Sequence, residues 1–199
     1  MMMKRFQLTP ETIEQISGEL SEALLKEGTV LLLPTETVYG LVARAGDRKA
    51  EQRIFELKHR NAAKTLGWFI GNWRTLPEYG VKLDGWPEKL ASAYCPGALT
   101  IIAPCNDGTT VGFRVPDTPL LARLLEKVSG PLIQTSANGS GMPDAGSCDE
   151  ALAQLNGPVD YMVDGGAIEG KIAASTVVDA TGENIKILRH GPVDLQKWL

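Results

Sequence analysis

Short apolar runs that alternate with amphipathic segments constrain the fold of this chain more than any other feature. Residues 29–33 read TVLLL and residues 131–136 read PLIQTS, and short runs that end in a proline or in small polar residues are typical of buried strands. The segment from Thr9 to Gly28 has helical spacing instead, with Thr9 as the expected N-cap, Pro10 in the first turn and Gly28 at the end. Helices and strands therefore intermingle, which predicts an α/β fold.

The same patterns extend over the rest of the chain. Further strands are predicted at 38–43, 66–70, 99–103, 110–115, 161–163, 175–180 and 184–189, the last two as a hairpin. Further helices are predicted at 47–58, 87–94, 118–128 and 148–155. The sequence has no internal repeat and no long linker, so we predict that residues 1–199 form a single domain around an open, twisted, mixed sheet with flanking helices.

Composition argues against several classes of protein. No apolar run approaches the roughly 20 residues that a membrane span needs. The polar start, MMMKRFQLTPET, is predicted to become helical at once and lacks the apolar stretch of a secretory signal. Cys95, Cys105 and Cys148 are odd in number and too widely spaced for a disulfide framework. We therefore expect a cytoplasmic protein without a membrane partner.

A basic stretch stands out against the net charge of -4. Residues 44–64 carry a net charge of +4, contributed by Arg44, Arg48, Lys49, Arg53, Lys58, Arg60 and Lys64 against three carboxylates. Such a run is commonly a solvated helix face, and it is also typical of a surface that receives polyphosphate or RNA. The sequence alone leaves both interpretations open.

Three clusters of small polar residues lie beside predicted strands. They are PTETVYG at 34–40, TSANGSG at 135–141, and Ser175-Thr176. Ligands of open α/β sheets bind at strand ends, although turns and caps use the same residue types. The glycine-rich phosphate loops GxxxxGK[ST] and strand-GxGxxG are absent from the sequence, so neither a P-loop nor a Rossmann site is indicated.

Cations follow the same elements. Lys58 ends a predicted helix, Arg60 follows two residues later and Lys64 lies four residues beyond Arg60. Arg114 and Arg189 lie at the ends of predicted strands. Arginine grips a phosphate or carboxylate with two parallel hydrogen bonds, and lysine supplies a compact charge. Together with the hydroxyl-rich turns, these cations indicate a cleft for an anionic ligand.

Seven motifs give the sequence a specific resemblance. PTETVYGL, IFELKHR, CPGALT, GFRVP, TSANGSG, ASTVVD and ILRHGP occur in this order between about residues 29 and 192. They resemble the YrdC-like threonylcarbamoyl-AMP synthases in their short, single-domain form. The resemblance implies an open, twisted α/β fold with a large positively charged cavity. It also implies a nucleotidyltransferase that makes threonylcarbamoyl-AMP and pyrophosphate from L-threonine, bicarbonate and ATP.

The resemblance also implies partners. The threonylcarbamoyl group is expected to pass, through downstream transfer proteins, to the tRNA adenosine just 3′ of the anticodon. Mg²⁺ is expected to accompany ATP with few protein ligands of its own, and we name no protein ligand for a metal. A protein nucleophile is not required either, because cations and hydroxyls that align the reactants and neutralise charge suffice for this condensation.

Residue roles come with the resemblance. Positions expected to bind L-threonine are Thr35, Arg114 and Ser175, with Phe69 at a position where many members have a histidine. Positions expected to bind ATP or bicarbonate are Lys58, Arg60, Lys64, Thr110, Ser136, Asn138 and Arg189.

The segment after the second helix departs from the family pattern. Many members read KxRPxxxPL, whereas KHRNAAKTL at 58–66 lacks both prolines. If the strand at 66–70 keeps the family register, the Phe69 ring faces the amino-acid pocket; otherwise it is ordinary core. Three alternatives stay open: a family paralogue with a changed amino-acid substrate, a noncatalytic RNA-binding module, and a carbamoyl-adenylate enzyme like the YrdC-like domain of hydrogenase maturation proteins.

Overall fold

Strands and helices alternate along the chain, as the apolar runs predict. The structure, a computed structural model, describes residues 3–59, 65–168 and 173–199. The strands of these ranges are β1 (Lys4–Gln7), β2 (Leu31–Leu33), β3 (Gly40–Arg44), β4 (Gly67–Phe69), β5 (Leu99–Pro104), β6 (Thr110–Arg114), β7 (Leu132–Ser136), β8 (Tyr161–Asp164), β9 (Thr176–Asp179) and β10 (Lys186–Arg189). Their α-helices are α1 (Ile13–Ala23), α2 (Arg48–Lys58), α3 (Trp86–Tyr94), α4 (Pro119–Lys127) and α5 (Cys148–Gln154). None of the helices in these ranges is long and apolar enough to cross a membrane.

Among the described residues, all ten strands join one open sheet in the order β1-β8-β2-β3-β7-β4-β6-β5-β9-β10. The pairs β1/β8, β2/β8, β4/β6 and β5/β9 are parallel. The other neighbours are antiparallel, including the predicted hairpin of β9 and β10. The prediction of an α/β fold with a mixed sheet is confirmed.

The back face of the sheet is covered from both ends. On one half, α2 and α5 pack through Ile54 and Ala151 against strand residues such as Leu32 and Ile133. On the other half, Leu90 of α3 packs with Ile101 and Phe113. The helical spacing of Ala50, Ile54 and Leu57 produces the apolar stripe that α2 buries here.

The front face is covered on one half only. Helices α1 and α4 contact each other and press leucine and isoleucine side chains onto β2, β3, β4 and β7. Successive residues of a strand point to opposite faces, so the front face carries the strand residues between those of the back face. These front-face residues include Leu31, Leu33, Val42, Phe69 and Leu132, and they form one apolar cluster with α1 and α4. The rest of the front face, over β6, β5 and β9, the start of β4 and the end of β7, faces the site described below.

Two local predictions were wrong. Residues 4–7 form an edge strand rather than the start of a helix, because β1 pairs in parallel with β8 from Lys4↔Tyr161 to Gln7↔Asp164. Thr9 does not cap α1: its backbone N–H donates to the Thr12 hydroxyl over 2.9 Å, and the helix begins at Ile13. The sequence also gave no signal for the 3₁₀ helix Trp73–Tyr79, which contains Pro77.

Candidate active site

A cavity of about 260 Å³ lies over the uncovered half of the front face. Its wall combines hydroxyl side chains, glycines, a carboxamide and two arginines, and its described residues include no carboxylate. The polar residues and glycines on the wall include Thr37, Thr65, Gly67, Thr100, Thr110, Gly112, Arg114, Gln134, Ser136, Ser175 and Arg189. The wall is therefore positively charged and rich in hydrogen-bonding groups.

A larger cavity of about 650 Å³ lies between α4 and the 3₁₀ helix Trp73–Tyr79. Its described lining contains Glu78, Asp117 and Glu126 and no Lys or Arg. Carboxylates of this kind repel phosphates and carboxylates, so size alone does not make it the site for anionic substrates.

The floor of the 260 Å³ cavity consists of three rows that cross the strands. The register pairs Phe69 with Arg114 across β4 and β6, and the next residue pair on the same face is Gly67 and Gly112. Beyond the glycines, Thr110 of β6 and Ser136 of β7 share the third row. We refer to these as the Arg114 row, the glycine row and the Ser136 row.

Arg114 is held on several sides and is only 4% exposed. Its Nε donates to Gly97 O over 3.2 Å and its Nη1 to Thr37 Oγ1 over 3.1 Å. Its Nη2 forms an ion pair with Glu36 Oε1 at 2.6 Å, yet it has no hydrogen-bond partner of suitable geometry among the described residues. The guanidinium also lies 5.6 Å over the Phe69 ring, so its plane is fixed. A fixed plane with an unsatisfied edge is suited to binding a carboxylate.

The Thr35 hydroxyl turns into its own loop. It accepts hydrogen bonds from the backbone N–H groups of Thr37 and Val38, and it donates to Val38 O over 2.7 Å. Thr37, which the sequence did not single out, lies on the cavity wall and bonds to Arg114. Thr35 therefore shapes the turn that presents Thr37.

Ser175 and Arg189 form the opposite wall. Ser175 Oγ lies 2.8 Å from Thr100 Oγ1. Arg189 donates two hydrogen bonds to Ser175: from Nε to the backbone oxygen at 2.9 Å, and from Nη2 to Oγ at 3.1 Å. Burial lowers the pKa of Arg189; the carboxylate of Asp144 opposes this shift, and the positive charge of Arg114 adds to it. The two arginines bring positive charge to the same cavity, which favours an anionic ligand there.

Lys58 lies under the TSANGSG turn. Its side chain is buried, and its Nζ donates to the backbone oxygens of Ser136 and Asn138. The Ser136 hydroxyl in turn donates to Asn138 Oδ1 over 2.5 Å, and Asn138 Nδ2 donates to Met142 O. Lys58 thus fixes the turn that carries Ser136 and Asn138 and does not line the cavity.

Phe69 is a correction to the pocket interpretation. Its side chain is 1% exposed and belongs to the core cluster under α1 and α4. The physical reason is that β4 points Phe69 to the front face at the row where the helices begin to cover it. Thr110 does lie on the cavity wall, whereas Arg60 and Lys64 lie outside the described residues.

The sequence analysis assigned no individual role to Thr37, Thr100, Gln134 or Glu36, although Thr37 and Glu36 lie within the PTETVYG cluster. One signal was available for two of them: Thr100 and Gln134 are polar residues next to apolar strand residues, in LTIIA and PLIQ. Polar side chains at such positions are expected to face a wet or ligand-binding surface.

Comparison with known families agrees with this geometry. The family model Sua5_yciO_yrdC, described as "Telomere recombination", matches residues 23–191. The chain belongs to this family. Within the Sua5/YciO/YrdC family, it is 32% identical over 197 residues to the threonylcarbamoyl-AMP synthase of Pyrococcus abyssi, covering 94% of this chain and 57% of that protein. It is 31% identical over 186 residues to that of Chromohalobacter salexigens, covering 88% of this chain and 98% of that protein.

Solved structures of the Sua5/YciO/YrdC family share the fold. P. abyssi Sua5 complexed with L-threonine superimposes with a TM-score of 0.81 at 30% identity, over 99% of this chain and 59% of that one. Escherichia coli YciO superimposes with a TM-score of 0.85 over 100% of this chain and 99% of that one. At 22% identity, the YciO likeness bears on the fold alone.

Proposed function

We propose that this chain is an L-threonylcarbamoyladenylate synthase. It condenses L-threonine with bicarbonate to a carbamate, with loss of water, and transfers AMP from ATP to the carbamate with release of pyrophosphate. The observation that carries the proposal is the pair of arginines, Arg114 and Arg189, on one hydroxyl-rich cavity whose described wall has no carboxylate. The names of the curated relatives support the reaction.

The three rows of the floor suggest how the substrates lie. The Arg114 row, with Ser175 nearby, takes the threonine carboxylate and hydroxyl. The Ser136 row, with the Asn138 turn, takes the nucleotide. The amine of threonine then lies over the glycine row, between the two subsites, where it meets bicarbonate and the α-phosphate.

The chain's contribution to the chemistry is alignment and charge neutralisation. A carbamate that attacks an α-phosphate brings negative charges together, and fixed cations and hydroxyls offset this repulsion without reorganising during the reaction. Arg114 suits this task because Gly97, Thr37 and Glu36 hold its guanidinium before substrate arrives. Arg189 is oriented by two hydrogen bonds to Ser175.

Mg²⁺ enters this proposal with the triphosphate, whose charge it screens. Within residues 3–59, 65–168 and 173–199, no group of three or more His, Cys, Asp or Glu side chains is placed to hold a metal ion. Mg²⁺ generally keeps several waters and binds through substrate phosphates with only one or two carboxylates.

The product is proposed to serve tRNA modification through separate transfer proteins. Direct RNA binding by the basic stretch has less support, because two of its cations are occupied within the fold. Arg53 pairs with Asp160 at 2.6 Å, and Lys58 is buried. Exposed cations of this stretch among the described residues are Arg44, Arg48 and Lys49.

Incubation with ATP, Mg²⁺, bicarbonate and each of the twenty amino acids tests the function. We expect pyrophosphate release and a threonylcarbamoyl-AMP mass only with L-threonine. Release with a different amino acid alone would establish the paralogue, and tight RNA binding without any turnover would establish the RNA-binding module.

A further inference from the structure

Gln134 projects from β7 onto the glycine row. It pairs with Gly67 of β4, and its Nε2 lies so close over that glycine that a Cβ there would meet it at 2.7 Å. A Cβ on Gly67 would also lie 3.3 Å from Gly112 O. The two glycines therefore leave a shallow floor whose main side chain is the Gln134 carboxamide.

The carboxamide is available to a ligand. Gln134 lines the cavity and is half-buried, and its side chain makes no hydrogen bond within the described part of the chain. Two other polar side chains of the cavity are bonded within the protein: Thr100 to Ser175, and Thr37 to Arg114. A half-buried carboxamide on this polar surface offers two donors and one acceptor to a ligand.

Its position is midway between the proposed subsites. Gln134 pairs with Gly67 and so belongs to the glycine row. Along β7, Ser136 of the Ser136 row lies two residues to one side of it, and Leu132, which pairs with Phe69 in the Arg114 row, lies two residues to the other side. The threonine amine and the α-phosphate must meet between these rows. The carboxamide therefore faces the point where bicarbonate joins the amine.

We propose that Gln134 binds the bicarbonate-derived carboxyl group during carbamate formation, an inference that rests on the proposed function. In this step the amine nitrogen forms a bond to the bicarbonate carbon, and the carbon's hydroxyl leaves as water with one amine proton. The product is a carbamate, which has an N–H donor beside a negatively charged oxygen. A carboxamide matches this pair, because its Nε2 donates to the oxygen while its Oε1 accepts from the N–H.

A bicarbonate titration of Gln134→Met tests the assignment. Methionine keeps the approximate length of the side chain and removes both hydrogen-bonding groups. We expect kcat/KM for bicarbonate to fall roughly 10- to 100-fold, the range of a hydrogen bond to a charged group. Calorimetric affinities for L-threonine and for a nonhydrolysable ATP analogue should stay within about twofold, because Gln134 contacts neither the threonine carboxylate nor the triphosphate.

Gln52→Met is the matched control, since it makes the same chemical change at an exposed position of α2. A second variant, Gln134→Glu, retains the shape and adds a charge that repels bicarbonate, so its loss should be at least as large. Thermal melts of both Gln134 variants establish that they fold.

Each outcome separates the two proposals. Selective loss of bicarbonate kcat/KM in both folded variants supports the role of Gln134. Wild-type bicarbonate dependence in either folded variant, or an equal loss of threonine and nucleotide affinity, overturns that role and leaves the proposed function intact. Absence of turnover in the wild-type protein overturns both.

Discussion

The two halves of the front face use one sheet for opposite purposes. On the covered half, α1 and α4 bury Leu31, Val42 and Leu132 against their own leucines. On the open half, the same pleat presents glycine, threonine, serine and arginine to a cavity. The sheet continues from one half to the other, so the cavity lies where α1 and α4 no longer cover its front face.

The boundary between the halves falls on one pair of residues. Phe69 and Arg114 are neighbours across β4 and β6, yet the phenyl ring joins the core while the guanidinium above it lines the cavity. A ring–cation contact at this point links the stability of the covered half to the geometry of the open half.

Phe69→Ala should give the largest effect and fall on the covered half. We expect the free energy of unfolding to drop by about 3–5 kcal/mol, because a large buried ring is replaced by a cavity. The order of preference among amino-acid substrates should not change. Thermal melts beside an amino-acid panel measure both, with Phe69→Leu as the milder control; a small melt shift with broadened selectivity would return the ring to the pocket.

Lys58→Met removes the ammonium group that holds the TSANGSG turn beside the open half. The buried ammonium holds the backbone oxygens of Ser136 and Asn138, and loss of hydrogen bonds to a charged group should cost about 1.5–3 kcal/mol of stability. Nucleotide affinity should fall, since the turn that carries Ser136 moves, while threonine affinity should hold. Denaturant melts and calorimetry check this against Lys82→Met on the surface; a stable variant with normal nucleotide affinity contradicts the positioning role.

Arg114→Gln tests the Arg114 row. Threonine affinity should weaken by about 1.5–3 kcal/mol, the range for a hydrogen bond to a charged group, and nucleotide affinity should change much less. The single variant also leaves Glu36 without its ion-pair partner, which costs stability.

The double variant Arg114→Gln/Glu36→Gln separates these effects, because it removes both charges of the pair. It should regain stability without regaining threonine affinity. Equal loss of threonine and nucleotide affinity by calorimetry would show that the two subsites are not divided between the rows.

Ser175→Ala, on the opposite wall of the cavity, should have a smaller effect. The hydroxyl bonds to Thr100 and receives Arg189, and its removal should weaken threonine binding by about 0.5–1.5 kcal/mol. Calorimetry with threonine and with a nucleotide analogue measures the split, and Ser92→Ala on the exposed face of α3 is the control. A loss confined to the nucleotide would reassign Ser175 to the other subsite.

Arg5→Gln should give the smallest effect, at the outer edge of the covered half. A hydrogen bond from Arg5 lowers the pKa of Asp164, so this carboxylate stabilises the fold above its unfolded pKa of about 3.9, and the stabilisation is lost as pH falls through the lower folded value. Arg5→Gln should therefore move the acid-unfolding midpoint slightly upwards. The shift is small because the Arg5 side chain is 46% exposed; an unchanged midpoint, followed by circular dichroism, would mean that the pair contributes nothing.

The sequence by itself determined the elements and the family. Apolar runs and helical spacing predicted every central strand and all five described α-helices, because these elements bury residues at periods of two and about 3.6. The order of the motifs predicted the family, and the match to the family model confirms it. The motif residues Arg114, Ser175, Thr110, Ser136 and Arg189 all line one cavity.

Tertiary structure alone decided how each side chain is used. Edge strand β1 exists because β8 offers it a partner, and KRFQ has no apolar pattern of its own. Whether Phe69 faced a ligand or the core depended on how far α1 and α4 extend over the sheet, a contact between residues distant in sequence. Gln134 reaches the centre of the site for the same reason: strand register places two glycines beside it, and register is set by long-range pairing that local sequence does not encode.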